Sequence, residues 1–155
     1  MKNKDIVTRR DTLGWMGLLS GMGAILAGAN HGHGSPQVPT AMLVHAEKLG
    51  WKPIVNDVFP PGLLIKPLFE NKERNFSFNL VRYPAGYREP RHFHKTCGHI
   101  LYFLSGKLHD HDQEYLPGAF AYAPPEDVHG PFFADTETEV LFFVDGIFDL
   151  YGAES

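Results

Sequence analysis

Residues 86–106 read Gly-Tyr-Arg-Glu-Pro-Arg-His-Phe-His-Lys-Thr-Cys-Gly-His-Ile-Leu-Tyr-Phe-Leu-Ser-Gly, and the period of this stretch decides the fold. On an extended strand residues two apart share a face, so His92 and His94 project together while Phe93 points away. A Lys-Thr-Cys-Gly loop then leads to His99, which opens an apolar run and brings a third imidazole alongside the pair. A fourth, His129, follows the Pro124-Pro125 turn on a strand far away in sequence. Imidazole is the commonest protein ligand of first-row metals, and three or four neutral rings leave the ion's charge uncancelled and positions open to substrate. The histidines therefore read as a site for one divalent metal ion on His92, His94, His99 and His129, with His99 alternatively a neighbour that orients a ligand or substrate.

Outward from this stretch the same two-residue period recurs. Strands are expected over 63–69, 76–80, 91–95, 99–104, 107–111, 119–123, 128–133 and 139–144, each bounded by Gly, Pro or Asp. Twelve Phe against two Trp, with 16 Gly and 12 Pro, agree with many short strands and tight turns. Evenly spaced strands without interleaved helices predict an all-β antiparallel sandwich or jelly roll. Thr40 caps one short helix, with Met42, Ala46 and Leu49 on one stripe and Gly50 closing it.

The amino-terminal 29 residues read as an export address. Lys2, Lys4, Arg9 and Arg10 precede a glycine-rich apolar run from Leu13 to Leu26, and Ala27-Gly28-Ala29 offers the small residues that a signal peptidase reads. Thr8-Arg9-Arg10-Asp11-Thr12-Leu13 resembles the twin-arginine export motif, which implies a folded, periplasmic protein. The run is shorter than the roughly 20 residues that span a bilayer, so no membrane partner is expected after cleavage. Residues 30–39 form a Pro-rich flexible tail, and 40–155 one domain. Removing residues 1–29 takes four basic and two acidic residues from 14 and 18, leaving 10 against 16 and a charge of −6. That balance, with no basic block, excludes a nucleic-acid binder. Cys97 is the sole cysteine, so no internal disulfide forms.

The spacing is more specific than the residue types. Gly86, five residues, His92-x-His94, four residues, His99, six residues, Gly106 matches the first cupin motif at every interval. Gly118, five residues, Pro124, then His129 five positions later resembles the second. The chain departs from these motifs in three places. His99 stands where the first motif has an acidic ligand, Glu126 where the second has glycine, and Phe133 where it has asparagine. Within the superfamily, His92 to Leu101 with Pro117 to Pro125 is similar to the branch containing dihydroxyacetophenone dioxygenase and the cupin half of zinc-binding anti-sigma factors. The resemblance implies a small jelly-roll barrel with the metal inside its mouth.

What the resemblance implies about function is a non-haem Fe(II) dioxygenase that cuts a carbon-carbon bond beside a ketone. Zn, Mn, Ni and Cu are the other candidate ions, and a 2-hydroxyketone or 1,3-diketone with O2 the expected partners. The expected assembly is a homodimer. A non-catalytic zinc- or ligand-binding module and a metal-dependent isomerase are the alternatives. Glu126, Arg91 and Tyr122 are candidate acid, base or substrate-contacting groups, although charged loop residues are ordinarily solvated. His109 and His111 also stand two apart, but Asp110, Asp112 and Glu114 around them mark a solvated edge. Cys97 reads as a small packing residue, and Tyr102, Phe120, Tyr122 and Phe132 as barrel core.

Overall fold

The computed structural model describes residues 41–154. The candidate signal segment, the tail and Thr40 lie outside the described residues. The strands in chain order are β1 (Lys52–Pro53), β2 (Leu64–Asn71), β3 (Phe76–Tyr83), β4 (Arg88–Glu89), β5 (His92–Phe93) and β6 (Cys97–Ser105). They continue with β7 (Leu108–His109), β8 (Glu114–Tyr115), β9 (Phe120–Ala123), β10 (Phe132–Ala134), β11 (Thr138–Gly146) and β12 (Tyr151–Gly152). All pairings are antiparallel. The six-stranded sheet runs β1-β2-β3-β11-β6-β9, the four-stranded one β4-β10-β7-β8, and β12 pairs β5. This is the all-β jelly roll expected from the sequence.

Alternation places the core. Along β6 Cys97, His99, Leu101 and Phe103 are buried while Tyr102 and Leu104 are exposed, and along β11 Val140, Phe142 and Val144 are buried in the same rhythm. Val81 and Tyr83 on β3 and Ile65 on β2 join them in one cluster. Burying a side chain such as Phe103 stabilises by about 1.5–3 kcal/mol, so these inward positions hold the barrel closed. His99 is therefore carried into the interior by the period that buries Leu101 and Phe103. The glycine after β6, Gly106, has φ +79, and a Cβ there would lie 2.2 Å from the Glu137 carbonyl oxygen, so both the turn and the close approach of β11 require glycine.

Three local expectations are corrected. Tyr102, Phe120 and Tyr122, expected in the barrel core, are exposed, because they alternate with the inward Leu101, Phe103 and Ala123 on β6 and β9. In place of the 40–50 helix there is a single 3₁₀ turn, Ala46–Lys48. Met42 and Leu43 are exposed, so the proposed apolar stripe has no surface to pack against, and so short a helix is marginal without packing. The 128–133 strand is interrupted: His129 makes an isolated bridge to His92, a cis Gly130–Pro131 peptide follows, and β10 begins at Phe132. Proline has no N–H to donate to a ladder.

Candidate metal centre

Three backbone devices bring the histidines together. His92 and His129 exchange both main-chain bonds, His92 N–H to His129 O at 3.1 Å and His129 N–H to His92 O at 3.0 Å, which places distant residues side by side. His94, just past β5, is pinned by the segment before β12: Asp149 Oδ1 accepts from Lys95 N–H at 2.9 Å and from Thr96 N–H at 3.3 Å. His99 comes in on β6. The ring centroids of His92 and His94 are 5.4 Å apart, and the His99 ring lies 4.9 Å from both His94 and His129. The structure thus gathers all four predicted imidazoles around one place. Phe93 points the other way and stacks on Tyr151.

Hydrogen bonds fix which nitrogen faces inward. Nδ1 of His92 donates to Pro90 O at 2.9 Å, Nδ1 of His129 donates to Asp127 O at 3.0 Å, and Nδ1 of His94 donates to Asp149 O. A carbonyl oxygen only accepts, so the ring proton sits on Nδ1 in each case and Nε2 carries a lone pair. Ligand atoms of His92, His94 and His129 lie within 4.8 Å of one another. The His92 and His129 Nε2 atoms are 2.9 Å apart. Two bare acceptors at that distance repel unless a cation lies between them, so the residues fit a divalent metal. His99 Nδ1 is buried with no hydrogen-bond partner, a second orphan at the same place.

The electrostatics agree. Burial pushes His94 down to about 4 and His99 down to about 3, holds His92 well below the usual histidine range, and lowers His129. Neighbouring imidazoles act in the same direction, since a proton on one ring repels a proton on the next. Neutral rings at physiological pH are the form a metal needs. A second candidate triad, His94, Cys97 and Asp149, shares a ligand with the first. It is the poorer site: burial pushes the Cys97 thiol up to about 11, and Asp149 Oδ1 is already taken by two backbone donors.

The imidazoles line an internal cavity of about 60 Å³ with Phe59, Leu63, Phe142, Phe148 and Leu150. A larger opening of about 350 Å³ reaches His99 and His129 from the β7–β8 side, past Asp110, His111, Tyr115 and Tyr122. Of the candidate catalytic groups Tyr122 lines this opening, 59% exposed on β9. Glu126 is an exposed turn residue at φ 69 whose N–H donates to His94 O at 2.6 Å. Arg91 makes a long contact to Glu154 O, and neither it nor Glu126 lines either space. His109 lies outside the cluster, 3.1 Å from Asp135 and stacked on Phe133.

Sequence reasoning passed over Glu89. It is 4% exposed on β4, its Oε1 is 3.3 Å from His92 Nε2, and its Oε2 has no hydrogen-bond partner. Burial pushes its carboxyl up to about 8 against the pull of a Tyr83 hydrogen bond. With His92 held neutral too, the contact is not an ion pair in the metal-free protein. The available signal was position: Glu89 pairs with Phe132, and the sheet that buries Phe132 buries Glu89.

Residues 39–149 match the ChrR cupin-like domain family. No curated protein matches the chain by sequence. Among solved structures the chain is similar to an acetylacetone dioxygenase from Acinetobacter johnsonii, at TM-score 0.56 and 14% identity, covering 76% of this chain and 81% of that one. It is likewise similar to a polyketide cyclase from Streptomyces resistomycificus, at TM-score 0.59 and 20% identity over 75% of this chain and 87% of that one. An RmlC-like cupin from Ralstonia eutropha gives TM-score 0.57 at 19% identity, over 69% of each chain. At these identities the likeness establishes the fold.

Proposed function

We propose that this chain, which belongs to the ChrR cupin-like family, is a non-haem Fe(II) dioxygenase cleaving a carbon-carbon bond of a 1,3-diketone or 2-hydroxyketone. The observation that carries the reading is the convergence of three Nε2 lone pairs, each fixed by a backbone carbonyl behind its ring, on an apolar cavity. When bound, the metal supplies Lewis-acid stabilisation of an enolate and a template for its reaction with oxygen. His92, His94 and His129 hold it, and His99 stands beside them. Neutral ligands leave the positive charge for the substrate's oxygens, which favours an anionic enolate. Phe59, Phe142 and Phe148 keep water from the inner side, and the opening past Tyr122 gives a ketone a route to the His99 and His129 edge.

Acetylacetone, the compound named for the Acinetobacter protein, is a 1,3-diketone and heads the test panel. The Fe(II)-loaded protein should consume oxygen with it or with an aromatic 2-hydroxyketone, above the rate of free iron. Both oxygen atoms should appear in products, an acid with an aldehyde-level fragment or two acids. No uptake, with zinc tightly bound as isolated, replaces this reading with a non-catalytic metal module, which the small inner cavity favours. Substrate rearranged without oxygen uptake makes the protein an isomerase.

Export by the twin-arginine pathway belongs to the same proposal and rests on residues 8–13. Replacing Arg9 and Arg10 by Lys should leave the protein folded in the cytoplasm, and unchanged export sinks the idea. A homodimer is supported by the exposed Tyr102, Leu104, Phe120 and Tyr122 on β6 and β9, and sedimentation at micromolar concentration reads it.

A further inference from the structure

We propose that Glu89 gives the metal centre a carboxylate oxygen donor, delivered from β4 ahead of the histidine pair. The inference rests on the reading that His92, His94 and His129 hold a divalent ion. Glu89 is 4% exposed, and a buried carboxyl oxygen without a partner is costly, yet Oε2 is one. Among the described residues the only other buried side-chain atom in that state is His99 Nδ1, at the same cluster. Both residues line the cavity that the histidines share.

The distances from His92 Nε2 have the spacing of ligands about one ion. Donors at about 2.0–2.2 Å from a metal stand roughly 3 Å apart at right angles and roughly 3.4 Å apart at tetrahedral angles. His92 Nε2 is 2.9 Å from His129 Nε2 and 3.3 Å from Glu89 Oε1. Its own proton is on Nδ1, facing Pro90, so His92 donates to neither neighbour. A cation beside His92 Nε2 lies between the two imidazole nitrogens, with Glu89 Oε1 3.3 Å from that Nε2 and outside the His92, His94 and His129 group. The pairing of Glu89 with Phe132 turns the residue inward, beside the buried Tyr83.

The consequence is a different charge from that of an all-imidazole centre. His99 occupies the position where the first motif carries its acidic ligand, and Glu89 returns one negative charge from β4. The sequence hides this because Glu89 precedes His92 by three residues. His99 then stands as a neighbour of the ion, its Nδ1 available to a bound ligand.

The test is cobalt(II) titration of the metal-free full chain, followed by absorption spectroscopy and calorimetry, for wild type, Glu89→Gln, Glu89→Asp, His92→Ala and His99→Ala. Glu89→Gln should weaken cobalt binding by at least about tenfold and move the visible d–d bands, with Glu89→Asp between it and wild type. Wild-type affinity and unchanged bands in Glu89→Gln, while His92→Ala loses the metal, overturn the role of Glu89 and leave the histidine site standing. Failure of the wild type to bind cobalt or zinc overturns the metal centre and this inference together. Should both Glu89 variants misfold, the cobalt-loaded wild-type crystal structure decides: a Glu89 oxygen at about 2.0–2.2 Å from the ion supports the inference, and both oxygens beyond about 3 Å overturn it.

Discussion

The chain contains two His-x-His pairs, and their fates differ. His92 and His94 are each 3% exposed; His109 is half-buried at the end of β7 and His111 lies exposed in the loop beyond it. Both pairs obey the same strand geometry. What separates them is the surrounding structure: the first pair has a carbonyl oxygen behind each Nδ1 and His129 locked to its backbone, whereas His109 sits beside the Asp135 carboxylate at the surface. A pair of histidines becomes a metal pincer when desolvation keeps it neutral and fixed acceptors hold the tautomer. Spacing alone confers neither.

The largest effect that breaks or keeps this contrast is loss of metal. His92→Ala, His94→Ala and His129→Ala should each weaken zinc or Fe(II) binding by about a hundredfold or more, His99→Ala should do less, and His109→Ala with His111→Ala should change nothing measurable. Calorimetric titration of each variant checks the order. A loss of metal in the His109/His111 double variant comparable to that in His92→Ala ends the distinction.

Acid should act next on the buried cluster. The folded-state values of His94 and His99, about 4 and about 3, lie below the unfolded value of about 6.5. Above pH 6.5 these rings are neutral in both states and their contribution is complete. As pH falls from about 6.5 towards 4 and then 3, the unfolded chain takes up protons that the native one refuses. Metal-free protein should therefore lose stability across that window, by at most about 1.4 kcal/mol per ring per pH unit. Urea melts at pH 7, 5.5 and 4.5 measure the slope. His99→Leu should make it shallower.

Legibility followed the same division. Period-two alternation located β2, β3, β6, β9 and β11, because long strands with one buried face write that face into the sequence. The two-residue strands β1, β4, β8 and β12 left no such signal, since two residues cannot show a period. All four clustered imidazoles could be named in advance because the motif intervals count residues. The groups behind them could not: Pro90, Asp127 and Asp149 act through backbone carbonyls, which every residue carries. Glu89 was passed over because a charged residue between Arg88 and Pro90 reads as surface until β4 is paired with β10.

The smallest expected effect concerns the turns beneath the two pairs. The turn after His111 is relaxed, with Asp110 Oδ1 accepting from the N–H groups of Asp112 and Gln113, both at 2.8 Å. The turn leading to His129 is strained: Glu126 has φ 69, in the left-handed region, where the second motif would place glycine. A left-handed conformation costs an L-residue about 1–2 kcal/mol, and the extra freedom of glycine in the unfolded chain returns about 0.4–1 kcal/mol of that. Glu126→Gly should therefore stabilise the fold by about 0.5 kcal/mol, raising the melting temperature by roughly 2 °C. The bond from residue 126 N–H to His94 O belongs to the backbone and survives the change, so metal affinity should hold. A lower melting temperature would mean that the Glu126 carboxylate makes an interaction worth more than the strain it imposes. Raised stability with lost oxygen uptake and intact metal binding would instead give Glu126 a direct part in the chemistry.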